Sequence, residues 1–431
     1  MTRETKSLSI NLLRMQEPES ATLICSQHPQ DYDMDFGDFV SNEDEEIDVE
    51  ELAEPWSNYA SEDNTRVFYP IQLGELLNER YLIEHKLGYG GFSTVWMAHD
   101  LQERTDVALK VMSQGGWDEN ETRIQAEIKR RVQDKSHLAV YLNTFLLPCG
   151  SKNDTYHRVL VLPLIGPCIS WHILTKSSMA ARMSAAQQLL KALESLHKVG
   201  IVHRDLNDKN CMWGVSSLQG LDRAAKYQTL GRPLKQTIPF VELWKPGELV
   251  RPAMIPDELR TADFFLGDFG LATKLDEPTF QVPRGYPPAV YCSPDRLHGQ
   301  GPSLACDMWS YMVLFAQLYL DFPPFYAGSD GGIIADFFKV LGPLPGSWKG
   351  LCKYPECQDS WYEQSEELNS IQNGELKARI ALRRPDVDQG ERDLVESIML
   401  KVFVYSPERR LSAIQLLQDN DFRALMDKYG C

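Results

Sequence analysis

Gly88 and Gly90 stand between two runs that read as strands, and no other feature constrains the chain as much. Tyr81-Leu82-Ile83 leads into Leu87-Gly88-Tyr89-Gly90-Gly91-Phe92-Ser93, and Thr94-Val95-Trp96-Met97-Ala98 resumes the strand pattern. A glycine-rich turn between a strand and a helix would suggest a dinucleotide fold. Between two strands it suggests a hairpin flap whose backbone, lacking Cβ atoms, can approach a phosphate closely. An ordinary hairpin turn accounts for the glycines alone equally well. A third run over residues 106–111 carries Ala108 and Lys110 two residues apart, so a strand there points both to one face.

Three further motifs follow in order: His203-Arg204-Asp205 with Asn210, then Asp268-Phe269-Gly270. A carboxylate at Asp205 can accept the proton of an attacking hydroxyl, and an amide oxygen at Asn210 can bind Mg²⁺ from the same loop. Asp268 supplies a hard anionic oxygen to the same metal, which shares oxygen ligands with phosphates. Lys110 offers a compact charge for α- and β-phosphates and needs a carboxylate to hold it. The helical pattern over 121–133, with Ile124, Ile128 and Val132 on one stripe, makes Glu127 the expected partner; Glu121, at the helix start, is the weaker candidate. His203 reads as a packed structural residue, because Asp205 already provides a base. Together these are the parts of an ATP- and Mg²⁺-dependent phosphoryl-transfer site.

With 24% charged and 43% hydrophobic residues, the composition is that of a globular protein. The net charge of −17 argues against direct nucleic-acid binding and suits a cationic partner. Residues 15–65 contain no lysine or arginine, so residues 1–66 read as an acidic, disordered tail. Nine scattered cysteines without a CxxC pair fit reduced thiols, hence a cytoplasmic or nuclear location. The most apolar run, 308–320, is too short to span a bilayer, so no membrane association is expected. Strand-like runs give way after Pro167 to helical patterns. The expected class is α+β: a small β-rich lobe with one main helix over 81–166, and a larger α-helical lobe over 167–425. Residues 214–262 form an insertion where a tight hairpin would suffice.

With these motifs in this order, residues 81–422 resemble a eukaryotic protein kinase catalytic domain. Leu87-Gly88-Tyr89-Gly90-Gly91-Phe92-Ser93-Thr94-Val95-Trp96, the preceding Arg80-Tyr81 and the insertion after the catalytic loop are similar to the SR-protein kinases, in a divergent fungal-type form. The resemblance implies a bilobal fold and γ-phosphoryl transfer from ATP to serine or threonine in protein substrates, including arginine-serine-rich ones, by a monomer. It implies Leu162 as gatekeeper, Pro163 and Ile165 in the hinge with the Ile165 N–H facing adenine, and Leu87, Val95 and Ala108 on the adenine walls. It also implies a buried Asp295–Arg410 pair and an Asp307 that holds the catalytic-loop backbone. The chain departs from the family at Cys292, where an arginine is usual, at Arg204, where the SR-protein kinases usually carry threonine, and at two coupled positions: Asn207 stands where a lysine is usual, and Pro288 where its threonine companion is usual. Both support an alternative, a pseudokinase or scaffold that binds nucleotide weakly and acts through its tail and insertion. Arg204 is the residue that reads an activation-segment phosphate, yet residues 280–292 hold no serine or threonine, which suggests a segment held without phosphorylation.

Overall fold

The computed structural model describes residues 35–40, 49, 53–60, 67–114, 118–150, 155–278, 285–326, 332–353, 357–363 and 374–431. A two-residue strand β1 (Asp38–Phe39) precedes β2 (Leu76–Leu77), β3 (Tyr81–Gly90), β4 (Ser93–Asp100) and β5 (Thr105–Met112); helix α1 (Asp118–Arg131), β6 (Asn143–Pro148) and β7 (Tyr156–Pro163) follow. Six of these strands form one antiparallel sheet in the order β2-β3-β4-β5-β7-β6. The two-residue period divides its side chains. Tyr81, Ile83, Trp96, Ala98, Val107, Leu109, Val111, Val159 and Val161 share one apolar core. Val95, Ala108, Lys110, Leu160 and Leu162 therefore lie on the opposite face. In α1 the buried stripe runs Glu121, Ile124, Gln125, Ile128, at the three- and four-residue spacing of one helix face.

The second lobe begins with β8 (Ile165–Cys168), α2 (Met179–His197), β9 (Ile201–Val202) and β10 (Cys211–Val215). Ser178 caps α2 by accepting from the Ala181 N–H, and Met183, Leu189, Leu190, Leu193 and Leu196 bury its apolar face. The expected insertion contains α3 (Arg223–Leu230), β11 (Leu234–Thr237) and β12 (Glu248–Val250) before β13 (Arg260–Leu266) returns antiparallel to β10. Next come β14 (Thr273–Lys274), paired with β9, and α4 (Leu304–Leu320), almost wholly buried. Among the described residues no helix is long and apolar enough to cross a membrane.

The insertion is rooted in the helical lobe but its far end packs on the β-rich lobe. Lys226 Nζ, on α3, lies 2.7 Å from Glu84 Oε2 and 2.6 Å from Asp106 Oδ1, and all three side chains are at most 6% exposed. The Tyr227 hydroxyl donates to the Glu84 carbonyl at 2.9 Å. Leu218, Leu230 and Leu259 pack with Met97, Leu87 and Leu164. Replacing Lys226 with methionine keeps the packing volume but leaves two buried carboxylates facing each other. The expected loss is about 3–5 kcal/mol, the range for removing one partner of a buried pair. Urea denaturation of the two proteins measures it, and an unchanged midpoint would mean that water reaches the pair.

Two expectations need correcting. Part of the acidic segment is ordered: β1 pairs in parallel with β11, Val49, Ala53 and Tyr59 join a small core with Phe68, Ile238 and Leu249, and Glu54 forms a buried ion pair with Lys86. Lys86 lies 4.8 Å from the Trp96 ring centroid, so its charge has both an anion and a π-face. The aromatic and aliphatic residues dispersed in the acidic run supply this anchoring; the remainder of 1–66 lies outside the described residues. The thiols are also not all reduced. Cys352 and Cys357 are joined in a disulfide, their Cα atoms 6.5 Å apart and so within bridging reach, whereas Cys149, Cys168, Cys211, Cys292, Cys306 and Cys431 are free.

Candidate active site

Lys110 sits where the sheet, helix α1 and the Asp268 loop meet. Its Nζ donates to Glu121 Oε1 (3.1 Å) and Oε2 (2.9 Å) and lies 3.0 Å from Asp268 Oδ1. Gln125, one turn along the helix, donates to Glu121 Oε1 at 3.0 Å and fixes that carboxylate. The expected partner Glu127 does not reach Lys110. It turns outward and accepts from Arg130 Nη2 at 3.1 and 2.8 Å. The reason is angular: each helical residue rotates about 100°, so Glu127 points away from the stripe shared by Ile124 and Ile128. Glu121 lies on that stripe, three residues before Ile124 and seven before Ile128. Extending the apolar stripe back by one turn would have found it.

Burial acts to push the Lys110 ammonium down, but the carboxylates of Asp268 and Glu121 outweigh it and hold it above the ordinary lysine range. The two carboxylates divide unequally. Burial raises Asp268 less than Lys110 and the Gly270 N–H lower it, so it stays below the usual range; Glu121 is pushed up by burial despite Lys110. Asp268 thus remains anionic, in left-handed backbone geometry at φ 59°. Its carboxylate is 42% exposed, which leaves it open to a further ligand.

Asp205 is held by two amides of its own loop. Asn207 Nδ2 donates to Asp205 Oδ1 at 3.1 Å and Asn210 Nδ2 to Asp205 Oδ2 at 2.9 Å. With its NH₂ committed to Asp205, Asn210 keeps its Oδ1 as an acceptor for a hard cation. Burial raises Asp205 above the usual aspartate range, opposed by His203 and these amide bonds. The loop backbone hangs from Asp307, whose carboxylate accepts from the His203 N–H (2.7 Å) and the Arg204 N–H (2.8 Å). His203 accepts at Nδ1 from the Asp205 N–H (3.3 Å), so its Nε2–H donates to the Gly267 carbonyl (3.0 Å), next to Asp268; its ring packs edge-on to Phe269. Asp295 and Arg410 form the buried pair at 2.5 Å.

Among the nucleotide-wall candidates, Val95, Ala108 and Leu162 occupy the Lys110 face of the sheet, whereas Ile165 lies on a strand of a second sheet. Val95 lies opposite Lys110, Ala108 opposite Leu162, and Val107 opposite Pro163, while Ile165 on β8 faces Gly214. Gly88 lies opposite Val95 and Gly90 opposite Ser93. A Cβ on Gly88 or Gly90 would meet no atom within 4 Å, so protein packing does not demand glycine there. A ligand backbone or phosphate lying close against the flap would. A hard oxygen at Asp268 beside the Lys110 ammonium, with Asn210 tied to the same loop where its carbonyl accepts from the Gly267 N–H, fits a magnesium-bound triphosphate. Leu87 and Leu164 are backed by insertion leucines (Leu218, Leu230, Leu259), a wall that no local sequence signal announced.

The two coupled departures can now be read in place. Asn207 uses its amide inside the loop, accepting from the Lys209 N–H at 2.9 Å while donating to Asp205; it steadies that residue instead of offering a cation. The Pro288 carbonyl caps the turn to Tyr291 and Cys292. Arg204 donates to the carbonyls of Leu271 (2.8 Å) and Gly285 (3.3 Å), so backbone oxygens occupy part of the guanidinium that would read a phosphate.

Comparison with known proteins agrees with this geometry. Residues 81–220 match the protein kinase domain family. A probable serine/threonine-protein kinase of Dictyostelium discoideum is 25% identical over 84% of this chain, which spans only 38% of that relative. A serine/threonine protein kinase of Aspergillus fumigatus is 24% identical over 82% of the chain and 87% of its own length. The SRSF protein kinase 3 of Sus scrofa is 28% identical over 38% of the chain and 31% of its own length. With its ordered motifs, its two lobes and these relatives, the chain resembles eukaryotic serine/threonine protein kinases, the SR-protein kinases among them.

Proposed function

We propose that the protein transfers the γ-phosphoryl group of ATP to serine or threonine hydroxyls of protein substrates, with arginine-serine-rich proteins among them. The observation that carries the reading is Lys110 seated between Glu121 and Asp268, both within 3.1 Å. When bound, ATP would supply the electrophilic phosphorus and Mg²⁺ would offset the negative charge that develops on the phosphates. Lys110 would hold the α- and β-phosphates, and Asn210 Oδ1 with the Asp268 carboxylate would hold the metal. Asp205, oriented by Asn207 and Asn210, takes the hydroxyl proton as the new oxygen–phosphorus bond forms and the bond to ADP breaks. Leu87, Val95, Ala108 and Leu162 enclose the adenine, with the Pro163 carbonyl and the Ile165 N–H at its edge.

The substrate preference rests on the SRSF protein kinase relatives and on the flap sequence. Among the acidic residues of the helical lobe that could dock an arginine-rich peptide, Asp359 and Glu363 are exposed, but each lies 3.4 Å from Lys349, which partly neutralises them. Glu356, Glu366 and Glu367 lie outside the described residues. Purified protein with labelled ATP, an arginine-serine peptide and a generic basic protein tests the proposal. Faster labelling of the peptide is expected. Equal labelling of both would remove the arginine-serine preference, and no labelling of either would remove the transfer reaction.

The Arg204 contacts also predict that phosphatase treatment leaves the rate within about twofold of the untreated enzyme, because backbone carbonyls already engage that guanidinium. Mass spectrometry that found a required phosphate on Tyr286 would contradict this.

A further inference from the structure

Helix α1 carries more than Glu121. Asn120, the residue before it, donates through Nδ2 to the carbonyls of Gly270 (2.9 Å) and Ala272 (3.0 Å). Arg123 donates through Nη2 to Asn120 Oδ1 at 2.7 Å. That bond settles the amide's orientation: with its oxygen facing a guanidinium, its NH₂ must face the two carbonyls. The other guanidinium nitrogen, Nη1, lies 2.7 Å from Glu277 Oε1, and the Glu277 side chain is only 4% exposed. Glu277 Oε2 accepts from Thr273 Oγ1 (2.7 Å) and from the Lys274 N–H (3.2 Å). Thr273 and Lys274 form β14, whose partner β9 ends at Val202, one residue before His203. An unbroken series of bonds therefore runs from the first turn of α1, past the loop that holds Asp268, to the strand that enters the catalytic loop.

We infer that Asn120, Arg123 and Glu277 are positioning residues that act as one clasp, setting Glu121 against Lys110 and Asp268 with unmodified side chains. The inference rests on the kinase reading above and extends it. Two features separate the clasp from an ordinary surface tie. Asn120 adjoins Glu121, so a shift of its amide displaces the carboxylate that holds Lys110. Its two N–H donors also bridge carbonyls two residues apart immediately after Asp268, a task that aspartate, with the same shape, cannot perform.

Asn120→Asp is the sharpest test, because it keeps the size of the side chain and its acceptor for Arg123 while removing both donors. The expected result is a fall in kcat of about tenfold with the KM for ATP within about twofold. Arg123→Met should behave alike, and the double variant should fall no further than the worse single one, since residues acting as one unit are not additive. Unchanged kcat in Asn120→Asp, or full multiplication of the two effects, would overturn the clasp. Hydrogen exchange supplies a readout independent of catalysis. Faster exchange in Asn120→Asp across both residues 118–131 and 268–278 is expected, and unchanged exchange in either stretch overturns the inference even if the wild-type protein transfers no phosphate. Failure of the wild type to label any protein substrate would instead refute the kinase reading and leave exchange to judge the clasp.

Discussion

Asp205→Asn lowers phosphoryl transfer by about 10²- to 10⁴-fold, the contribution of a positioned general base. The neutral side chain cannot take the hydroxyl proton, and the geometry adds a second effect. Asp205 accepts from two amide NH₂ groups, those of Asn207 and Asn210, one at each oxygen. Asparagine has only one acceptor oxygen, so one of the neighbours then faces another donor and must turn. If Asn210 turns, its Oδ1 leaves the place from which it would hold the metal. Calorimetry should therefore show metal-free nucleotide affinity within about twofold of wild type, because the adenine walls lie elsewhere, while more Mg²⁺ is needed to tighten it. Undiminished labelling by this variant would mean that the base lies elsewhere or that the activity comes from a contaminant.

Two isosteric changes six residues apart on helix α1 should behave very differently. Glu121→Gln leaves the Lys110 ammonium with Asp268 as its only carboxylate, drawing it toward the group that would hold the metal. Removing a partner from a buried pair costs about 3–5 kcal/mol when nothing remains. Asp268 remains here, so a loss of about 2–4 kcal/mol in transition-state stabilisation is expected, or about 30- to 10³-fold in kcat/KM. Glu127→Gln removes a pairing with Arg130, which is 68% exposed, and should change the rate by less than about twofold. Steady-state kinetics of the two variants side by side decides the matter. A large effect at Glu127 with none at Glu121 would show that α1 turns in the working enzyme.

The same pair shows how far local reading reaches. The stripe of Ile124, Ile128 and Val132 identifies the helix and its buried face, but choosing between two glutamates depends on where the helix begins and how it rotates against Lys110. Asp205 and Asn210 were legible because their cooperation lies within one short loop, where the backbone alone brings them together. Asp295 and Arg410 were legible only through the family resemblance, since 115 residues separate them. The Lys226–Glu84 contact spans 142 residues and has no motif to announce it. Nothing local to Glu54 signals that this carboxylate is enclosed with Lys86, because its partner lies 32 residues away and the acidic run that precedes it reads as solvated chain.

Order and type of elements, the flap and the positions of Asp205, Asn210, Asp268 and Lys110, proposed as base, metal-binding oxygens and phosphate-binding lysine, are all properties of short stretches, and amino-acid order by itself determined them through periodicity, turn chemistry and loop geometry. Which glutamate holds Lys110, how the insertion reaches back to the β-rich lobe, where Glu54 is enclosed and how Asn120 spans two carbonyls were decided only in three dimensions. Each depends on charges and donors distant along the chain being brought together away from water, where an unpaired group is too costly to persist. That selection acts on packed neighbours, and sequence distance does not specify who those neighbours are.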